Sequence, residues 1–434
     1  MRVNSYLQTQ KNEKNIKKAI WLYIIVLIFE GAARKWLLPS LATPLLLARD
    51  PIAFWLILKA FQDTYKKSNP YIYWLFIIGF FSFGITLLVG HGSIRVALYG
   101  LRIFILHLPV IFIIGKYFEK RDVLKVGYLL IITLIPMVIL SMFQFYSPQS
   151  SFINRGVGGD IEGAGFGGAL GFFRPSGTFS FINGLSSFYG LCSAFVFYYF
   201  LNYRLLPKWL LFGAIIALVL SIPFSISRTV LFQNLISFGF AFVVILRYPQ
   251  KIKKFIPFCL VLLSLVVLFK TNSFFQTGFD AFSSRFISAD ESEGGLKGTL
   301  VDRVFGSMIE AVETAFDQNL WGVGLGADSN VGVKLLGIST DYRISDFERQ
   351  RHIYEMGAFL GISFIFFRIY LTYQLLRNSL FTLFLKGDYL PWMLLSFSLM
   401  QILQGQISQP TSLGFVVIST GLVMVSNNGR EKHI

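Results

Sequence analysis

Arg174, in the stretch GFFRPSGTFSFINGLSSFYG, stands at the entrance to an apolar run long enough to cross a bilayer. Arg228 stands the same way in FSISRTVLFQ, and Arg351 and His352 do so in ERQRHIYEMG. A guanidinium is a planar fork of N–H donors that meets phosphate oxygens two at a time, which a lysine ammonium does not do. An imidazole such as His352, or the carboxylate of Glu355 close behind it in the chain, has the chemistry to take a proton from an attacking hydroxyl. The combination suits the binding of a phosphate or diphosphate and the transfer of a group from it.

The same placement recurs along the chain. Arg34 and Lys35 end the first apolar run, Arg49 and Asp50 lie about two turns into the second, and Arg95 opens the fourth. Arg102 follows Arg95 on the same face of a helix, and Arg349 precedes Arg351. A cation at mid-bilayer costs about 2.5–3.5 kcal/mol on insertion scales. Taken singly, each arginine has an ordinary explanation: it snorkels to lipid headgroups, or, for Arg49 and Asp50, it forms an internal ion pair. Taken together, arginine predominates over lysine at this set of helix ends, whereas the connections on the other side are mostly lysine. An arginine-rich cavity that takes a lipid-linked diphosphate at membrane depth accounts for the set.

The elements that carry these residues follow from hydropathy. Of the 434 residues, 54% are hydrophobic and 14% charged, and the mean hydropathy is +0.61. About 20 apolar residues cross a bilayer as a helix, and such runs recur near 19–38, 41–61, 71–89, 94–115, 124–146, 178–201, 209–225, 229–246, 255–270, 353–376, 389–405 and 411–425. The expected fold is therefore all-α, a single polytopic membrane domain over residues 1–434 with about twelve spans; alternating ten-residue segments of a β-barrel are absent. With the N-terminus inside, the inner connections KNEKNIKK, DTYKKS, KYFEKRDVLK and RYPQKIKK are basic, and the long segment 271–351 on the other side is acidic. That is the positive-inside asymmetry, and it assigns the net charge of +16 to topology rather than to nucleic acid. Both termini are then cytoplasmic, and the first run is a retained signal anchor. Two external segments are long: a glycine-rich loop at 147–175, and 271–351, in which LVDRVFGSMIEAVETAF has the spacing of an amphipathic helix.

Other motifs point nowhere else. WGVGLGADSN is not a dinucleotide fingerprint and reads as a turn, DESEGG lacks the alternating ligands of a calcium loop, and no His/Cys cluster suggests zinc. Cys192 and Cys259 lie inside apolar runs and read as small buried hydrophobes; His91, His107 and His433 have no evident partners in sequence. No cofactor and no metal are expected.

The order FFRPSGTFSFINGLSSFYGL, SISRTVLFQNLISF, WGVGLG, RHIYEMGAFLGISF, over roughly residues 172–365, resembles the superfamily of O-antigen polymerases and O-antigen ligases. In that family R-x-x-G-T-F-x-x-x-N opens one helix, S-R a later one, and a large external loop ends in a histidine before E-x-G-x-x-G. The resemblance implies a GT-C-like membrane glycosyltransferase of the bacterial inner membrane with its active site at the periplasmic face. Its substrate would be an undecaprenyl-diphosphate-linked glycan, joined unit to unit with release of undecaprenyl diphosphate, without metal and with inversion. It also implies roles: Arg174 and Arg228 on glycan or diphosphate, His352 near the reacting carbons with Glu355 as the competing base, and Arg228 counted with the catalytic groups. The binding set extends to Arg351, Arg102, Arg95, Arg49 and Arg34. Ligases carry His-Asn where this chain has His352–Ile353, which favours a polymerase over a ligase acting on lipid A core or protein. A lipid-linked oligosaccharide flippase is the rival of another class. Expected partners are the lipid-linked glycan, a chain-length regulator and a flippase.

Overall fold

Apolar side chains all round a helix require apolar surroundings on every side, and the helix Ile182–Leu201 meets that condition at the centre of the bundle, with Phe188, Tyr189, Cys192, Ala194 and Phe195 fully enclosed. The computed structural model describes residues 2–62, 69–163, 165–293, 320–337 and 348–429. Among them the chain is all-helical, with no strand. Among the described residues, nine helices are long and apolar enough to cross a membrane. The chain is thus a polytopic helical membrane protein, and exposed Ile77, Phe80, Phe81, Phe359 and Phe366 belong to its lipid-facing surface.

In chain order the elements used below are α1 (Arg2–Ala32), α2 (Asp50–Gln62), α3 (Pro70–Leu88), α4 (Ile94–Tyr117), α5 (Lys120–Tyr146) and α6 (Ile182–Leu201). They continue with α7 (Lys208–Ser225), α8 (Arg228–Arg247), α9 (Ile252–Thr271), α10 (Ser273–Glu293), α11 (Asn330–Leu336), α12 (Glu348–Phe381), α13 (Leu390–Gln404) and α14 (Pro410–Asn428). The nine candidate spans leave out α1, α9 and the 15-residue α13. Each of the twelve apolar runs read from sequence overlaps a helix, the run 41–61 being broken by a turn at 46–49. Within the expected loop 271–351, α10 continues directly from α9 as a 21-residue helix. The amphipathic segment at 301–316 lies outside the described residues.

Local chemistry sets the ends of these helices. Asn69 caps α3 by accepting from Tyr71 N at 3.0 Å, with Pro70 in the first turn, where its missing N–H costs nothing. Glu119 and Asp122 form a reciprocal capping box at α5, and Lys17 of α1 bonds to both carboxylates, at 2.8 and 3.0 Å. α4 loosens into a π-turn at Ile103–His107, just ahead of Pro109. The proline has no N–H for the regular ladder, and such a turn accommodates the break.

α12 is two helices. Gly357 has φ 73° and ψ 175°, which interrupts the backbone ladder, and the freed groups find partners in the glycine-rich turn before α11. Val323 N donates to Tyr354 O at 2.8 Å, Gly324 N to Glu355 O at 3.0 Å, and Ala358 N to Leu320 O at 3.2 Å. Gly322, Gly324 and Gly326 all have positive φ. A Cβ on Gly357 would lie 2.1 Å from Leu320 O, so only glycine permits the approach. Broken helices survive at membrane depth where protein re-pairs the backbone in this way. The piece before the break, residues 348–356, carries Glu348, Arg349, Arg351, His352 and Glu355.

Candidate functional site

A cavity of about 410 Å³ lies where α1, α4, α6, α12 and α14 end together. The tail of α1 contributes Arg34, α4 contributes Tyr99, and the approach to α6 contributes Ser180 and Phe181. The segment around α11 adds Asp328 and Asn330, the first turn of α12 adds Glu348 and Arg351, and the α13–α14 connection adds Gln406, Ser408, Gln409 and Thr411. Most of these groups donate or accept hydrogen bonds, and Phe181 and Tyr99 supply aromatic surface.

Arg351 is the hub of its charges. Its Nε and Nη2 donate to Glu355 Oε1 at 3.1 and 2.9 Å. Glu348 Oε2 lies 3.8 Å from its Nη1, and Asp328 Oδ2 lies 3.9 Å from its Nε. Glu355 also accepts from Asp328 N at 3.1 Å. Three carboxylates thus surround one guanidinium at the cavity wall. Arg34 stands elsewhere on the lining, donating from Nε to Ala42 O at 2.7 Å and from Nη1 to Ser180 Oγ at 2.9 Å.

His352 is buried and is not among the residues lining the cavity. Its Nε2 lies 2.7 Å from Arg368 Nη1. Since arginine only donates, Nε2 is the acceptor in this pair and its lone pair is occupied. Arg368 is fixed in turn by Ile402 O at 2.6 Å and Gly405 O at 2.9 Å, which ties the start of α12 to the end of α13.

Arg174 belongs to a second group. It sits in the segment between α5 and α6, where burial, then Arg285 and Arg228, push its guanidinium down to about 10. Its Nε is buried without a hydrogen-bond partner among the described residues. Three cations therefore converge from that segment, from the start of α8 and from α10. The segment itself is held firmly: Lys35 Nζ donates to Ser176 Oγ at 3.1 Å and to Gly177 O at 2.5 Å, and Gly177 N donates to Gln144 Oε1 at 2.8 Å. Six residues beyond Arg174 it reaches Ser180 on the cavity lining.

Arg49 and Arg102 are occupied inside the bundle. Arg49 Nε donates to Glu30 Oε2 at 3.1 Å and its Nη2 to Pro410 O at 2.6 Å. Arg102 Nη1 bonds both oxygens of Asp50 at 2.9 Å. The ion pair anticipated between Arg49 and Asp50 is thus exchanged for two longer-range pairs, because consecutive residues on a helix do not face each other. His107, without an evident partner in sequence, bonds Asp50 Oδ1 and Tyr23 Oη, each at 2.9 Å. Arg95 is exposed at the start of α4, away from the cavity lining.

Sequence reasoning passed over Glu348, Asp328, Arg368 and Glu30. Arg368 carried a usable signal, a charge in the middle of an apolar run; Glu348 and Asp328 were counted only as loop acidity. Comparison with known protein families, with characterised proteins and with solved structures finds no match to this chain.

Proposed function

We propose that this protein is a polysaccharide polymerase that joins undecaprenyl-diphosphate-linked oligosaccharide units and releases undecaprenyl diphosphate. The observation that carries the reading is the pairing of a polar cavity at one end of a lipid-embedded bundle with an arginine group, Arg174, Arg228 and Arg285, in which Arg174 Nε has no partner among the described residues. The two are linked by one short segment. A lipid-linked glycan has that shape: a tail for the lipid-facing surface, a diphosphate for the arginines and a sugar for the cavity.

Diphosphate is a good leaving group and needs no proton. The charge that develops on it needs fixed cations in a site of low dielectric, and guanidinium groups supply them without a metal. One displacement by a sugar hydroxyl then inverts the anomeric centre. In the proposed topology α1, α9 and α13 also cross the inner membrane, making twelve spans with both termini in the cytoplasm and the cavity in the periplasm. A ligase acting on lipid A core or protein would use the same donor chemistry. The test is to incubate purified protein with a lipid-linked repeat unit in detergent. A ladder of products spaced by one repeat supports the polymerase; transfer only to an added acceptor selects the ligase; no glycan product from an active-site-intact preparation removes both.

A further inference from the structure

Of the three carboxylates around Arg351, Glu348 and Asp328 line the cavity and Glu355 does not; Asp328 Oδ2 stands 3.9 Å from Arg351 Nε, and the groups differ in what each has left to offer. Glu355 Oε1 accepts from Arg351 Nε, Arg351 Nη2 and Asp328 N within 3.1 Å, so this carboxylate serves to orient the arginine. His352 has its Nε2 bonded to Arg368 and does not reach the cavity lining. Glu348 differs from both. Its residue is 7% exposed and it lines the cavity. Among the described residues its contacts are long: Ser408 N at 3.3 Å, Ser408 Oγ at 3.4 Å, and Arg351 Nη1 at 3.8 Å. A carboxylate has about four acceptor sites, and a buried one left with weak bonds is costly unless a ligand completes it.

Taken with the proposed function, on which this rests, we infer that the cavity is a sugar-binding subsite for the acceptor unit and that Glu348 is the general base. Amide and hydroxyl groups of Asn330, Gln406, Gln409 and Thr411 ring the space, and such groups match the alternating donors and acceptors of a sugar ring. Phe181 and Tyr99 offer apolar surface to its C–H face. About 410 Å³ accommodates one to two hexose rings, each of roughly 150–200 Å³ against the 300–1,000 Å³ usual for ligand pockets. In the step, the acceptor hydroxyl gives its proton to a Glu348 oxygen while its own oxygen bonds to the donor's anomeric carbon. The bond from that carbon to the diphosphate oxygen breaks, and its electron pair leaves with undecaprenyl diphosphate. Arg351, held by Glu355, stands 3.8 Å from the Glu348 carboxylate and helps to place it.

The test uses purified full-length protein and the undecaprenyl-diphosphate-linked glycan extracted from producing cells that lack it. Wild-type turnover decides whether the polymerase reading stands; if there is none, both proposals fall together. Given turnover, Glu348→Gln should lower kcat by about 10²–10⁴-fold with donor KM within about twofold, and Glu348→Ala should regain activity with added formate. Gln409→Ala should raise the acceptor KM and leave kcat largely intact. Glu348→Gln at wild-type kcat, or an inactive but monodisperse Glu348→Ala that formate leaves silent, overturns the assignment of the base while leaving the polymerase in place.

Discussion

Arg174 differs from Arg49 and Arg102 in having no carboxylate partner among the described residues, although Arg49 too has one buried nitrogen, Nη1, without a partner among them. Arg49 and Arg102 have carboxylate partners within 3.1 Å, whereas Arg174 faces two further cations and keeps a buried Nε unpaired among the described residues. Repulsion of that kind is tolerated when an anion completes the group. Charge-assisted hydrogen bonds contribute about 1.5–3 kcal/mol each, so Arg174→Ala and Arg228→Ala should each cost about ten- to a hundredfold in turnover, and lysine should restore little because it lacks the fork. Product formation by variants at matched expression measures this; full activity in both would reduce the two arginines to headgroup contacts. The opposite behaviour is expected of Arg49. Removing one member of a buried pair leaves the other charge stranded, at a cost of about 3–5 kcal/mol, while removing both is far milder. Arg49→Met should therefore lower the melting temperature more than the double change Arg49→Met with Glu30→Leu.

At the scale of elements, the break at Gly357 sets the site. A continuous helix would leave no place for the glycine-rich turn against Tyr354 and Glu355, whose carbonyls that turn caps. Gly357→Ala adds a Cβ at 2.1 Å from Leu320 O to a residue at φ 73° and ψ 175°, a region essentially reserved for glycine that costs about 1–3 kcal/mol for other residues. It should reduce thermal stability in detergent and depress turnover. Helix positions were legible in sequence because hydropathy over about 20 residues is a local property. The pairings were not, since Glu30 meets Arg49 and Asp328 meets Arg351 through the folding of distant segments. Nothing local marked Glu348 off from the other acids of its loop, and the turn character of WGVGLG did not disclose that it docks onto a broken helix.

For the whole molecule, the proposed orientation and the proposed chemistry stand together. The loop 147–175 shares the cavity end, since Val157 lines the cavity, so Glu162 and Asn428, both exposed, should report opposite sides. In a Cys259→Ser background, a membrane-impermeant thiol reagent should label Glu162→Cys and not Asn428→Cys in intact cells; the reverse pattern would place the cavity in the cytoplasm. The central claim is glycosyl transfer from a lipid diphosphate by arginines, and its most direct measurement follows released undecaprenyl diphosphate alongside polymer length in purified protein with excess chelator. Release of one undecaprenyl diphosphate per linkage formed, lost in Arg174→Ala, is the predicted result. Polymerisation abolished by chelator and restored by magnesium or manganese, or lipid consumed with no glycan bond formed, would contradict it.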